Sequence, residues 1–264
     1  MNIAGQNYKI MQPFLASLRD FKEFEVRSAL NSLMSRDAII HMCHPFGDLF
    51  SDTFYDKCFA PLIVAMPDIE RRDTIFISGQ TPEGDYWVGC CGSYIGTFVM
   101  PFLDIPPTGH LAHMRFHEFY RFSGNKVVEV QAIWDIPELM MQANAWPMAP
   151  SLGREWHIPG PITQDGMSDY TDQVERSLQS QAHVLDMLTA LSRHPVEPVE
   201  AMELEHFWHP KMTWYGPSGI GTARGISGFR HWHQIPFLNA MPDRGQFPDE
   251  VTPVSYTHLR AHET

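Results

Sequence analysis

Residues 111–134 read LAHMRFHEFYRFSGNKVVEVQAIW, and this stretch decides the fold. Apolar and polar side chains alternate over 111–122 and again over 126–134, which is the period of two that is typical of β-strands with one buried face. Between the two runs, residues 123–125 supply a glycine where a tight hairpin needs a positive φ. The stretch therefore predicts an antiparallel hairpin whose apolar face turns toward a core.

The apolar face of 111–122 carries one charged residue, Glu118. Its other members are Ala112, Met114, Phe116, Tyr120 and Phe122. Centring the hairpin on Gly124 places Glu118 opposite Val130. Burial disfavours the charged form of a carboxyl group, so we expect a raised pKa for Glu118. A carboxyl poised near neutrality suits proton transfer α to a carbonyl. The alternative is a Glu118 that a buried tyrosine or a backbone donor satisfies, or one at the mouth of the fold.

The segments around the hairpin extend the sheet and add helices. Residues 73–78 and 86–100 read as further strands, and a short helix over 137–144 opens with proline in its first turn. Residues 21–34 read as an amphipathic helix with Phe24, Leu30 and Leu33 on its apolar side. The predicted fold class is α+β, a cone-shaped, curved antiparallel sheet packed with N-terminal helices.

A degraded internal repeat organises the rest of the chain. The segment 59–68 (FAPLIVAMPD) is similar to 235–243 (IPFLNAMPD), and each follows a short β-like run and a Gly/Pro turn. Too few residues follow the second segment for a second sheet. We therefore expect a complete domain, a Pro-rich linker, an incomplete and mostly helical second copy, and a non-native or disordered tail, over 1–145, 146–167, 168–250 and 251–264.

Four stretches carry a resemblance to a known family. They are 59–68, 105–109 (IPPTG), 119–129 (FYRFSGNKVVE), and Trp134-Asp135 followed by Leu139 and Gln142. In order and spacing they resemble the SnoaL-like polyketide cyclases, whose fold is the nuclear transport factor 2-like cone. The resemblance covers about residues 30–145 well and 168–243 more loosely.

The resemblance implies an apolar pocket and an intramolecular aldol closure of a polyketide ester, without metal or cofactor, in which a buried acidic residue moves the proton. Other branches of the fold isomerise or dehydrate small carbonyl compounds, or only bind them. Here Ala132 occupies the position of the cyclases' acid/base aspartate, and Glu118 occupies that of an assisting histidine. Either Glu118 has taken over proton transfer, or this copy is not a cyclase.

The predicted site has Glu118 as its catalytic residue. Eight further residues are expected to line or bind in the pocket, namely His44, Met42, Trp87, Tyr94, Phe116, Tyr120, Trp134 and Asp135. His44 shares a strand face with Met42 and is a candidate donor at the rim, the alternative being a surface turn histidine. The aromatic residues either stack on a planar substrate or pack the core, and Asp135 either belongs to the site or caps the following helix.

Composition and motifs exclude several other classes. Lys plus Arg number 19 against 31 Asp plus Glu, so the chain lacks the basic stripe that nucleic-acid binding needs. No stretch approaches the length of a membrane span, and without a signal peptide the expected location is cytoplasmic. The four cysteines form no C-x-x-C pair and are expected to be reduced. His113 and His117 would lie roughly 13 Å apart on a strand, too far for one ion, so no metal is predicted.

These observations predict cofactor-free acid–base chemistry, of the aldol cyclisation, isomerisation or hydrolysis type, on a small apolar carbonyl or polyketide-like compound. An enzyme of this kind would be a lyase or an isomerase. The alternative is a non-catalytic module of the same fold that binds small molecules or dimerises. Two pairings stay open, a homodimer and an intrachain pseudo-dimer. The substrate's identity does not follow from the sequence.

Overall fold

The computed structural model describes residues 3–81, 83–160, 174–194 and 196–241. These residues divide into two compact units, 3–147 with 159–160 and 148–158 with the described part of 174–241. The predicted domain boundaries stay a prediction. The predicted tail at 251–264, the predicted start of the second copy at residue 168 and the end of the second repeat at 242–243 lie outside the described residues.

The first unit begins with two helices and continues into a sheet that a helical run interrupts. Its elements are α1 (Ile3–Ser17), α2 (Glu23–Leu33), β1 (Met34–Met42), β2 (Asp48–Phe50), α3 (Ser51–Phe54), a π-helical turn (Tyr55–Phe59), α4 (Ala60–Ala65), β3 (Glu70–Gln80), β4 (Tyr86–Thr97), β5 (Leu111–Ser123), β6 (Lys126–Trp134) and α5 (Ile136–Gln142).

The six strands form one sheet in the order β2-β1-β6-β5-β4-β3. All neighbours are antiparallel except β1 and β6, which run parallel. The predicted α+β class is confirmed, and the sheet is mixed, because the chain passes through the helical run and β3 to β5 before β6 returns beside β1.

The predicted hairpin is present, but its predicted register is wrong. Glu118 lies opposite Ala132, not Val130. The loop is centred between Gly124 and Asn125, because Ser123 pairs with Lys126, and a β-bulge between Arg121 and Phe122 shifts the pairing further.

The bulge also changes which residue at the start of β6 is buried in the core. Val127 is fully buried whereas Val128 is half-buried, so strict alternation predicts the wrong valine at this end. From Val130 onward the predicted inward residues Val130, Ala132 and Trp134 are buried.

The helices close the apolar side of the sheet. On α2 the buried residues are Val26, Leu30 and Leu33, whereas Phe24, expected on the apolar side, is 84% exposed. Helix α1 was not predicted. The centroid of its Phe14 ring lies 6.3 Å from that of Tyr120 on β5. Helix α1 therefore packs on the apolar face of the sheet.

The second unit is mostly helical. It contains α6 (Val174–Leu191), a 3₁₀ turn (Val199–Met202), α7 (Leu204–Phe207), β7 (Thr213–Trp214), β8 (Ala223–Arg224), α8 (Gly225–Phe229), a second π-helical turn (Arg230–Gln234) and α9 (Ile235–Ala240). Strands β7 and β8 pair as a two-stranded sheet, and Met202, Leu204 and Phe229 form a small core. Among the described helices of both units, none is long and apolar enough to cross a membrane.

Candidate functional site

Glu118 lies in the middle of β5 and points into the interior between the sheet and the helices. Its neighbours across the sheet are Cys90 on β4 and Ala132 on β6. The residue is 1% exposed, and Met114 and Phe116 on the same face of β5 are fully buried. A carboxyl group in such surroundings must have internal hydrogen-bond partners, because burial without them is costly.

Four side chains donate hydrogen bonds to the carboxylate of Glu118. Oε1 accepts from the Tyr94 hydroxyl at 2.9 Å and from Trp134 Nε1 at 2.8 Å. Oε2 accepts from Arg71 Nη1 at 2.5 Å and from the Tyr120 hydroxyl at 2.6 Å. Each oxygen therefore has two donors, and the donors come from β3, β4, β5 and β6.

Arg71 links Glu118 to a second carboxylate. Its Nη2 lies 2.8 Å from Asp73 Oδ1, and its Nε donates to the same carboxylate at 3.0 Å. Nη1 also donates to the Tyr94 hydroxyl at 3.1 Å, and the guanidinium carbon lies 3.9 Å from the centroid of the Phe116 ring. The side chain of Arg71 is fully buried and that of Asp73 is 10% exposed. One guanidinium therefore sits between two carboxylates, over an aromatic face that favours a cation.

Burial and charge act on the pKa of Glu118 in opposite directions. Burial raises it, but the charge of Arg71 and the hydrogen bonds from Tyr120, Arg71 and Trp134 outweigh burial, so the pKa is lowered. The expected raised pKa is wrong, because its partners could not be identified from the sequence. Burial, together with the charge of Glu118, raises the pKa of Tyr94 and of Tyr120, so both hydroxyls stay protonated donors.

The structure brings four of the predicted pocket residues together around Glu118. Tyr94, Tyr120 and Trp134 bind its carboxylate. Phe116 packs against Tyr94 with ring centroids 4.8 Å apart. These four aromatic side chains are buried and form the apolar wall around the charged groups.

Two predicted residues of the first strand have different surroundings. Met42 is buried and pairs with Ala132, which is itself opposite Glu118, so Met42 lies in the same core. His44 follows the end of β1 and is exposed, which corresponds to the surface-turn alternative.

Trp87 and Asp135 are not near Glu118. Trp87 is buried, but it lies three residues from Cys90 on β4, so it faces the opposite side of the sheet. Asp135 occupies the N-cap position of α5 without a side-chain capping bond. Its carboxylate pairs instead with Arg115 at 3.0 Å.

Sequence reasoning missed Arg71 and Asp73. The predicted strand began at residue 73, whereas β3 begins at Glu70. A longer strand would have placed both residues on one face by alternation, since they are two positions apart. An irregularity between Asp73 and Ile75 brings the buried Phe76 to the same face, where strict alternation would not have placed it.

The described part of the chain contains no group of three or more His, Cys, Asp or Glu side chains that is placed to bind a metal ion. The four cysteines are all free thiols. The groups around Glu118 that can donate hydrogen bonds or exchange protons are the two carboxylates, the guanidinium of Arg71 and the hydroxyls of Tyr94 and Tyr120.

Comparison with solved structures finds several similar proteins. AclR, a proposed hydroxylase from Streptomyces galilaeus, is 16% identical with a TM-score of 0.46, and the match covers 56% of this chain and 90% of that one. IdmH, a proposed polyketide cyclase from Streptomyces antibioticus, is 17% identical with a TM-score of 0.45, over 53% and 99% of the two chains. A proposed SnoaL-like polyketide cyclase from Jannaschia sp. CCS1 is 18% identical with a TM-score of 0.46, over 56% and 97%.

Comparison of the sequence finds a family match within the first unit. No curated protein matches the chain significantly. The family model of the SnoaL-like polyketide cyclases matches residues 14–143, which run from the end of α1 to just beyond α5 and include Arg71, Asp73 and Glu118. Over residues 14–143 this chain is therefore similar to the SnoaL-like polyketide cyclases.

Proposed function

We propose that the first unit performs cofactor-free acid–base chemistry on a small apolar carbonyl or polyketide-like compound, with Glu118 as the proton acceptor. The family supports a cyclase-type function of this kind. The observation that carries the proposal is the buried triad in which Arg71 bridges Glu118 and Asp73. Apolar residues often replace buried ion pairs without loss of stability, so a largely buried triad is weak support for a purely stabilising role.

The geometry suggests how a substrate would engage the triad. A carbonyl oxygen beside Glu118 would accept the hydrogen bond that the Tyr120 hydroxyl now donates to Oε2. Oε2 would then be able to accept a proton from the substrate. Glu118 would then take a proton from the α-carbon, and the electron pair of that C–H bond would move onto the carbonyl oxygen. Tyr120 and Arg71 would stabilise the resulting enolate as hydrogen-bond donors.

The fate of the enolate decides the class of reaction. Attack of its carbon on a second carbonyl of the same molecule gives aldol closure, and the oxygen of that carbonyl takes the proton from Glu118. Return of the proton to another carbon gives isomerisation. The aromatic wall of Phe116, Tyr94 and Trp134 excludes water and favours an apolar, flat substrate. Met42, which lies in the same core, would contact the apolar part of such a substrate.

A reaction shared by these outcomes tests the proposal without knowledge of the natural substrate. We would measure exchange of the α-protons of 2-tetralone in D₂O by proton NMR, with the full chain as catalyst. The Glu118→Gln variant should lower the exchange rate by about 100-fold or more. Glu129→Gln removes a carboxylate that pairs with Arg121 on the same hairpin and should leave the rate unchanged. Equal rates for wild type and Glu118→Gln would overturn the assignment.

A non-catalytic module that binds small molecules or dimerises is the second candidate function. The observation that favours it is that both oxygens of Glu118 are already saturated by Arg71, Tyr94, Tyr120 and Trp134. A carboxylate with four donors is a weak base in the resting state. If 2-tetralone perturbs the protein's NMR spectrum but its α-protons do not exchange faster than in buffer, the module should be preferred.

We also propose that the second unit is a partial copy of the first. Both contain a short helix, a five-residue π-helical turn and a six-residue helix with proline in its first turn, at 51–65 and at 225–240. The residues that end these runs have similar backbone angles, φ −132° and ψ 85° at Met66 and φ −130° and ψ 70° at Met241. A cytoplasmic location and the pairing of copies, as a homodimer or an intrachain pseudo-dimer, stay predictions.

A further inference from the structure

The second unit carries an open groove of about 510 Å³ that belongs to none of the elements around Glu118. It lies between α7, the segment before β7 and the start of α8. Its lining residues are Glu205, Trp208, Pro210, Lys211, Arg224, Gly225, Ile226 and Ser227. A groove of this size can hold a small organic molecule.

The charges around the groove are mainly positive. Lys211 and Arg224 are exposed, and no described carboxylate forms an ion pair with either of them. Glu205 is the one acidic lining residue, and Arg230 neutralises it at 2.8 Å. The chain as a whole has a formal charge of −12, so this concentration of positive charge runs against its average. Local charge of this kind attracts anions over a Debye length.

Two side chains that line the groove, Arg224 and Trp208, are held in position by their neighbours. Arg224 Nη1 donates to Thr213 Oγ1 at 2.8 Å across the β7–β8 pair. The Trp208 ring lies edge-to-face against Phe229, with centroids 4.7 Å apart, and its Nε1 donates to Met187 Sδ at 2.9 Å. A fixed indole wall beside an oriented guanidinium group is a preorganised arrangement, which lowers the entropic cost of binding.

We infer that this groove binds a small aromatic carboxylate. The flat body of the ligand rests against Trp208 and Ile226, and its carboxylate accepts hydrogen bonds from Arg224 and Lys211. Guanidinium groups suit carboxylates because two N–H donors match the two oxygens. The inference is independent of the chemistry proposed for Glu118, since none of its residues belongs to the first unit.

Calorimetric titration of the full chain with 2-naphthoate tests this inference, and 2-naphthylmethanol serves as the uncharged analogue. The carboxylate should bind about tenfold or more tightly than the alcohol, and its affinity should fall as salt rises. Lys211→Gln and Arg224→Gln should each weaken binding by roughly three- to tenfold, and Arg224→Lys should retain more affinity than Arg224→Gln because it keeps the charge.

Two controls separate the groove from other parts of the chain. Arg36→Gln removes an exposed cation from the first unit and should leave the affinity for 2-naphthoate within about twofold of wild type. Glu118→Gln should also leave it unchanged, so failure of one proposal does not affect the other. Circular dichroism checks that each variant is folded. Equal affinity for the two probes, or wild-type affinity in both Lys211→Gln and Arg224→Gln, would overturn the inference.

Discussion

Arg71 Nη1 and Glu118 Oε2 lie 2.5 Å apart in the interior, although 47 residues separate them in the chain. Arg71 is on β3 and Glu118 on β5, with β4 between them, so the two long side chains meet across an intervening strand. Their contact depends on the assembled sheet and is absent from any single hairpin. The arrangement of charges at the candidate site therefore depends on the folded sheet.

Replacement of Arg71 by methionine should be strongly destabilising. It leaves Glu118 buried without its cation, and removal of one partner of a buried pair costs about 3–5 kcal/mol. Urea denaturation at pH 7 measures the free energy of unfolding. Arg121→Met, which breaks a half-exposed pair with Glu129 on the other face of β5, should cost about 1 kcal/mol or less. Equal losses in the two variants would contradict a special role for the buried pair.

Acid should destabilise the protein partly through Glu118. Its folded pKa is lowered, so its contribution is complete above the unfolded value of about 4.3 and is lost as the pH falls through the folded pKa. Glu118→Gln should therefore show a smaller loss of unfolding free energy between pH 7 and pH 3 than wild type. Asp68, whose pKa is lowered by bonds from Thr97, should still contribute to the remaining slope.

Asp52→Asn is the control for this pH dependence, since Asp52 is exposed in α3 and outside the buried network. Its unfolding free energy should change with pH as in wild type. A Glu118→Gln profile that runs parallel to wild type down to pH 3 would show that the carboxylate of Glu118 has the same pKa in the folded and unfolded chain.

The sequence predicts the sheet well where the signal is local. Strand β6 has its predicted bounds, and β4 and β5 begin where expected, because alternation and the hairpin loop are read from neighbouring residues. The register fails at two points, the centre of the hairpin loop and the bulge between Arg121 and Phe122. A bulge adds one residue to one strand, and nothing in the alternation of the other strand marks its place.

Several members of the site were predictable from the sequence, but Arg71, Asp73 and the electrostatics that they set were not. Glu118, Tyr94, Tyr120 and Trp134 follow from alternation and resemblance. The direction of the Glu118 pKa depends on Arg71, which the topology brings in from β3. Long-range pairing of this kind has no local signal in the sequence. The β5 sequence by itself therefore indicated only that burial would raise the pKa of Glu118.

Gly92 should tolerate no side chain. A Cβ there would lie 2.0 Å from the Arg72 carbonyl oxygen and 2.8 Å from the Phe116 ring, beside the irregular pairing of β3 with β4. Gly92→Ala should lower the free energy of unfolding by about 1–3 kcal/mol or more, since backbone has to move. Gly79→Ala, where a Cβ meets nothing within 4 Å, should be close to neutral in the same urea titration. A neutral Gly92→Ala would contradict the close approach.

The cysteines should differ in reactivity toward iodoacetamide. Burial raises the pKa of Cys58 and of Cys91 to about 12, which leaves about one thiolate in ten thousand at pH 8. Cys90 is also buried, and burial raises its pKa as well. Cys43 is half-buried, and although burial raises its pKa too, reagent can reach it more readily.

Peptide mass spectrometry after timed alkylation at pH 8 should therefore find Cys43 modified first, and all four cysteines modified at similar rates in urea. Cys58 lies in the π-helical turn between α3 and α4, so its protection reports whether that helical run stays packed on the sheet. Alkylation of Cys58 as fast as Cys43 in native buffer would mean that the run opens readily. Such opening would expose the side of the core that carries Trp134, whose ring lies 5.8 Å from that of Phe59 in the same turn, and would give a substrate a route to Glu118.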